Sequence, residues 1–398
     1  MQRKTSNQID MQKLLIIVES PLSERDFNRF GITILRKYCQ VIIADATPWL
    51  NPDVWASHSS NQFDGAGCIN VHSELELEPL FRVGLSFVLE IATLPIRCEQ
   101  KLARLGVKRI KLSNGLIPAL PKRSLLGRIL DLKYRTKKFS LLKEYLIARI
   151  LGPKHIPPDR VFATGKMSAA QYPHHQSKLI GAHALDYDIY LRCRNNGRSI
   201  GQSYWVYIDE APCSHGDFRN LNIRPVATPK TYYPRLLLFF EQFERITACK
   251  IVIAAHPRNT WQDHLALLGG RTPIHGKTAE LIRDANGVFA HASTSISFAV
   301  LWRKPIVILT SDEINDSIYR DEVLIRRDIL RTTLLNLDRV SPSDLRTEVL
   351  SQIDEDAYAE YQANYIKVPG TPERPAWETW AHALLDETAS PFYMQPQP

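Results

Sequence analysis

The stretch Lys250–Glu313 constrains the fold of this chain more than any other. It opens on Lys250-Ile251-Val252-Ile253-Ala254-Ala255, an apolar run that stops at His256-Pro257-Arg258. It continues through Gly276-Lys277-Thr278-Ala279-Glu280-Leu281-Ile282 and Gly287-Val288-Phe289-Ala290-His291-Ala292-Ser293-Thr294-Ser295. It closes on Pro305-Ile306-Val307-Ile308-Leu309-Thr310. Three β-rich runs alternate with helix-like segments, and each run ends in a polar cluster. That is the pattern of a parallel α/β sheet, and such sheets take ligands beyond the carboxyl ends of their strands.

The same rhythm opens the chain. Lys13 to Glu19 reads as a buried strand, Glu24 to Lys37 as a helix with Ser23 as N-cap, and Gln40 to Asp45 as a second strand. The first turn between strand and helix has no glycine fingerprint, which argues against a bound dinucleotide. Val83 to Thr93 is apolar and fits helix or buried strand. Pro95 opens a helix to Leu105, and Val107–Leu112, Arg160–Gly165 and Lys178–Ala182 read as further strands. The polar, glycine-containing run Arg192–Gln202 suits a linker. Tyr204–Ile208 then begins a second α/β unit, Tyr232–Thr247 is helical, and the chain beyond Leu309 reads as helical and charged.

A chain of 398 residues accommodates two such units. The predicted domains are residues 1–195 and 203–386, with a loose tail at Pro391–Pro398. The expected fold class is α/β with two Rossmann-like domains facing a cleft. Six cysteines show neither paired CxxC spacing nor metal-ligand spacing, which fits a reduced, cytoplasmic protein with idle thiols. Met1–Gln12 is polar and Leu14–Val18 is too short for a signal core. The formal net charge of +8 is concentrated: Pro121–Lys154 holds ten basic and two acidic residues, and alone accounts for it. Leu125, Leu126, Ile129, Leu130 and Leu132 recur at helical spacing within that segment. Two readings stand side by side. One is a basic amphipathic hairpin touching an anionic membrane surface, the other the solvated face of two ordinary helices. Nucleic acid is not an expected partner, because no binding module accompanies the charge.

Three clusters carry chemistry. In Tyr207-Ile208-Asp209-Glu210-Ala211-Pro212-Cys213-Ser214-His215-Gly216-Asp217, two carboxylates come straight off a strand with a third close behind. A carboxylate there can take a proton from an attacking hydroxyl, so Asp209, Glu210 and Asp217 are the catalytic candidates; capping acids on a polar loop are the structural alternative. His256 and Arg258 end the next strand and can meet a phosphate. Ser293, Thr294 and Ser295 precede an apolar helix, where hydroxyls and open backbone N–H groups suit an anion, although a single serine there is more often a plain cap. Thr278 and Glu280 open the intervening helix within reach of a ribose or base. No metal site is expected: HExxH is absent, and Asp186-Tyr187-Asp188, which could hold Mg²⁺, reads as a solvated loop.

This order of acid pair, His256-Pro257 and hydroxyl cluster resembles the motif series of bacterial sialyltransferases and polysialyltransferases. Kdo and capsule-polymer transferases and the CDP-glycerol glycerophosphotransferases have similar His-Pro and Ser/Thr elements. The resemblance covers mainly residues 204–314. It implies the GT-B fold, metal-independent chemistry without a cofactor, donor-phosphate binding by His256 with Ser293 and Thr294, and an acid of the Asp209 pair as base. Where the sialyltransferase motif has glycine after its two acids, this chain has Ala211, and alanine reaches positive φ only at a cost.

The expected function is an inverting glycosyltransferase moving a sugar from a nucleotide donor, with a CMP-linked nonulosonate or Kdo as first choice. The acceptor would be a surface-polysaccharide or lipopolysaccharide glycan at the inner face of the plasma membrane. Two rivals are a CDP-glycerol or CDP-ribitol phosphotransferase and a non-catalytic subunit of a polysaccharide assembly complex.

Overall fold

A computed structural model of the chain describes residues 11–113, 118, 156–172, 179–197, 201–215, 218, 223–256 and 265–385. The basic segment 121–154 lies outside the described residues, as does the Pro391–Pro398 tail. The chain forms two compact units that interleave in sequence. The described residues of Met1–Asn114, Leu146–Leu185 and Val368–Pro398 make one, and those of Gly115–Tyr145 and Asp186–Lys367 the other. The first unit therefore takes back the end of the chain, including the helix Ala376–Leu385 that falls within the expected second domain.

Seven strands build the first unit: β1 (Lys13–Val18), β2 (Gln40–Asp45), β3 (Cys68–Asn70), β4 (Phe87–Glu90), β5 (Lys108–Ser113), β6 (Arg160–Ala163) and β7 (Leu179–Gly181). Their order is β3-β2-β1-β4-β5-β6-β7, and every pairing is parallel. A parallel sheet buries both faces, which is why β1 is apolar at successive positions rather than alternating. Leu14, Ile16 and Val18 pack into one core, Leu15 and Ile17 into the other.

The predicted helix Glu24–Lys37 starts as expected, with Ser23 Oγ accepting the backbone N–H of Asp26. It is broken, however, into Glu24–Arg29 and Ile32–Leu35 by Gly31, which sits at φ 58. The cause is the returning C-terminal helix. A Cβ at residue 31 would meet the Trp377 ring at 2.2 Å, and Trp377 Nε1 donates to the Arg29 carbonyl at 2.8 Å. The break admits the indole, and no local pattern announces it.

The second unit has five strands: β8 (Tyr204–Ile208), β9 (Lys250–Ala254), β10 (Val288–Ala290), β11 (Ile306–Thr310) and β12 (Thr333–Asn336). Their order is β12-β11-β10-β8-β9, again parallel throughout. Helix Pro229–Thr247 packs Leu236, Phe239, Phe240 and Phe243 into this sheet's core. Two strands were not expected, β3 and β12. Each is an edge strand of three or four residues, only partly buried and without a continuous apolar run. Asp186-Tyr187-Asp188, expected as a loop, lies in the helix Leu185–Cys193. No helix among the described residues is long and apolar enough to cross a membrane.

Candidate functional site

Three adjacent strands of the second unit deliver the expected residues to one edge. β8 lies between β9 and β10, all three parallel. Asp209-Glu210 leave β8, His256 leaves β9, and His291-Ala292 lead from β10 into Ser293-Thr294-Ser295. In the order β9-β8-β10-β11-β12 the chain builds outward first to one side of β8 and then to the other. The gap between β8 and β10 is thus the topological switch point, where open α/β sheets take their ligands.

The two adjacent acids reach to opposite neighbours. Asp209 is 3% exposed; its Oδ1 accepts the Ala211 N–H at 2.9 Å and its Oδ2 the His256 N–H at 3.4 Å, which ties β8 to the end of β9. Glu210 ties β8 to the end of β10. Its Oε1 accepts the His291 N–H at 2.7 Å, while Oε2 accepts the Ala292 N–H at 2.9 Å and the Tyr319 hydroxyl at 2.7 Å. Tyr319 directly precedes the helix Arg320–Leu330. Hydrogen bonds to a charged group contribute about 1.5–3 kcal/mol each, so Glu210 is a strong clamp on the hydroxyl-bearing loop.

Ala211 takes φ 48, the left-handed region where a Cβ costs about 1–2 kcal/mol. The turn persists with alanine because its neighbours over-determine it. Asp209 holds the Ala211 N–H, and the Ala211 carbonyl accepts the N–H groups of Ser214 and His215 at 2.9 and 2.8 Å. The turn swings His215 back over the strand ends. Its Nε2 lies 3.2 Å from His256 Nε2, with ring centroids 4.7 Å apart and planes at 66°. Both rings are partly exposed. Sequence offered no signal for this pairing, since forty residues separate the two histidines.

Behind these groups runs a buried polar chain. The Leu309 carbonyl can only accept, so His291 Nδ1 donates to it at 2.7 Å. His291 Nε2 then accepts from the Tyr232 hydroxyl at 2.6 Å, and the Tyr232 oxygen accepts from the Tyr207 hydroxyl at 2.7 Å. Burial pushes both tyrosine hydroxyls well above their ordinary range, which keeps them as neutral donors. His291 is a fixed internal strut at the end of β10, and it was not among the expected site residues.

Of the hydroxyl cluster, Thr294 is exposed and Ser293 and Ser295 are half-buried at the start of helix Ile296–Leu301. Ser293 Oγ accepts the Ser295 N–H at 3.2 Å. Thr278 opens the helix Thr278–Asp284 as expected, with Glu280 in its first turn. Asp217, Pro257 and Arg258 lie outside the described residues. Among the described residues no group of three or more His, Cys, Asp or Glu could hold a metal ion.

No protein-family model matches the chain, and no curated protein matches it. Solved structures do. The wall teichoic acid polymerase TagF soaked with CDPG superimposes with a TM-score of 0.55 at 11% identity, over 94% of this chain and 89% of that one. A TagF variant gives a TM-score of 0.55 at 9% identity, over 95% of this chain and 90% of that one. The glycotransferase of kitacinnamycin matches with a TM-score of 0.49 at 12% identity, over 89% of this chain and 95% of that one. The likeness is one of fold. It agrees with the two α/β domains of parallel strands that the GT-B resemblance implied.

Proposed function

We infer that this chain is a glycosyltransferase that moves a sugar from a nucleotide donor to a glycan acceptor. The observation that carries this reading is that Asp209, His256 and the loop Ser293–Ser295 follow the carboxyl ends of three adjacent parallel strands, β8, β9 and β10. The donor phosphate lies against His256 and the hydroxyls. Asp209 takes the proton from an acceptor hydroxyl, whose oxygen attacks the anomeric carbon opposite the leaving nucleotide and inverts it. The bond to phosphate breaks, and the charge that develops there is met by donors already in place. Asp209 is preferred to Glu210 because Glu210 is held by bonds of 2.7–2.9 Å from His291, Ala292 and Tyr319, whereas the bond from the His256 N–H to Asp209 Oδ2 is a weak one at 3.4 Å. The catalytic role of Asp217 and the phosphate-binding role of Arg258 remain part of this proposal, as does nucleotide binding by Thr278 and Glu280.

The finer reading is an inverting, metal-independent enzyme using a CMP-linked nonulosonate or Kdo, with a lipopolysaccharide or capsule acceptor at the inner membrane face. The basic segment 121–154 would supply the membrane contact. A panel of CMP-, UDP-, GDP- and CDP-linked donors tests it, with hydrolysis or transfer as readout. Turnover of one donor, reduced 100-fold or more in Asp209→Asn, is the expected result. Turnover and binding of none would sink it, and unaltered glycan production in cells carrying Asp209→Asn or His256→Ala would favour a non-catalytic subunit.

The likeness to the TagF structure soaked with CDPG favours a second reading, phosphotransfer from a CDP-linked alditol. The two differ in product: phosphotransfer adds phosphorus to the acceptor, and sugar transfer does not.

A further inference from the structure

One carboxylate positions two histidines from different strands. Asp209 Oδ1 holds the Ala211 N–H, which sets the left-handed turn that carries His215. Asp209 Oδ2 holds the backbone N–H of His256. Phe218 backs the His215 ring edge-on, with centroids 5.8 Å apart. Within this frame the two Nε2 atoms lie 3.2 Å apart.

We propose that His215 is a second phosphate-binding residue, closing with His256 on a single anionic oxygen of the donor. Two neutral imidazoles facing through Nε2 share one hydrogen, so one nitrogen donates and the other accepts. An oxyanion changes the arrangement: an oxygen about 2.8 Å from each nitrogen stands over their separation as the apex of a triangle, and both rings then present Nε2–H to it. The direct contact between the histidines is the resting form of that clasp. Its position beside the switch point and the partial exposure of both rings suit a ligand from solvent. The chemical class is a phosphate oxygen of a nucleotide. This inference rests on the donor-site reading above and adds to it a residue that the acid-pair and His-Pro pattern leaves out.

The test is calorimetric titration of the full-length protein with CMP, CDP, UDP and GDP and with the matching nucleosides. His215→Ala should weaken the best nucleotide about tenfold or more, the worth of one hydrogen bond to a charged group, and leave nucleoside affinity unchanged. His215→Gln should recover part of the loss, since its amide can donate but carries no charge. Unchanged nucleoside affinity also reports that the variant is folded. If the wild type binds a nucleotide and His215→Ala binds it within twofold, the inference is overturned while the donor-site reading stands. Equal losses for nucleotide and nucleoside overturn it as well. Binding of no nucleotide by the wild type overturns both.

Discussion

Glu210 Oε1 accepts the backbone N–H of His291 at 2.7 Å, so an acid from the central strand fixes the loop that runs on into Ser293-Thr294-Ser295. The adjacent Asp209 does the same for the end of β9 through the His256 N–H. The acid pair is thus a two-sided tie across three strand ends, and several measurable consequences follow from it.

Removing Glu210 should loosen that loop before it affects anything else. Glu210→Ala leaves two backbone N–H groups and the Tyr319 hydroxyl without their acceptor, and should lower stability by about 3 kcal/mol or more. Tyr319→Phe removes one bond to the carboxylate and should cost about 1.5–3 kcal/mol. Urea unfolding measures both, and a Glu210→Ala protein as stable as wild type would refute the clamp.

The strained turn at Ala211 makes an asymmetric prediction. Ala211→Gly releases a left-handed alanine and should leave stability within about 1 kcal/mol of wild type. Ala211→Val puts a β-branched side chain at φ 48 in a buried site and should cost about 2 kcal/mol or more. Thermal unfolding of the pair decides it; equal effects of the two substitutions would mean the turn is not strained.

Glu244 joins the helix Pro229–Thr247 to β9 and Arg271. It accepts the Ile251 N–H at 2.9 Å and the Arg271 guanidinium at 2.7 and 3.0 Å. Burial would raise its carboxyl, but the hydrogen bonds from Arg271 and Ile251 outweigh that and hold it below the usual range. A depressed folded pKa gives stability that is present above the unfolded value, about 4, and is lost as pH falls through the folded one. Glu244→Gln should therefore cost about 1–3 kcal/mol at pH 7 and progressively less below pH ~4. A difference from wild type that stayed constant down to pH 3 would contradict the assignment.

The thiols should be nearly silent. Burial pushes Cys39 and Cys98 up to about 11 and Cys213 up to about 12, which leaves almost no thiolate near neutrality. A disulfide reagent at pH 7.5 should react first with the half-buried Cys249, and should reach Cys39, Cys98 and Cys213 only after denaturation. Rapid labelling of any of those three in the folded protein, located by mass spectrometry, would count against this.

The strands β1, β2 and β8 were legible because a buried parallel strand must be apolar at every position, and Leu14–Val18 and Tyr204–Ile208 are. The edge strands β3 and β12 were not, because they are only partly buried and do not form a continuous apolar run. The break at Gly31 was hidden for a different reason: its partner, Trp377, lies near the other end of the chain.

By itself, the sequence determined which residues end the strands: Asp209-Glu210, His256 and Ser293-Thr294-Ser295 are placed by local hydrophobic runs that stop. Only the tertiary structure decided what those residues touch. Strand order brings β9, β8 and β10 side by side, and a single left-handed residue, Ala211, turns His215 onto His256. Both depend on contacts between segments forty to eighty residues apart, and no periodicity or propensity encodes distances of that kind.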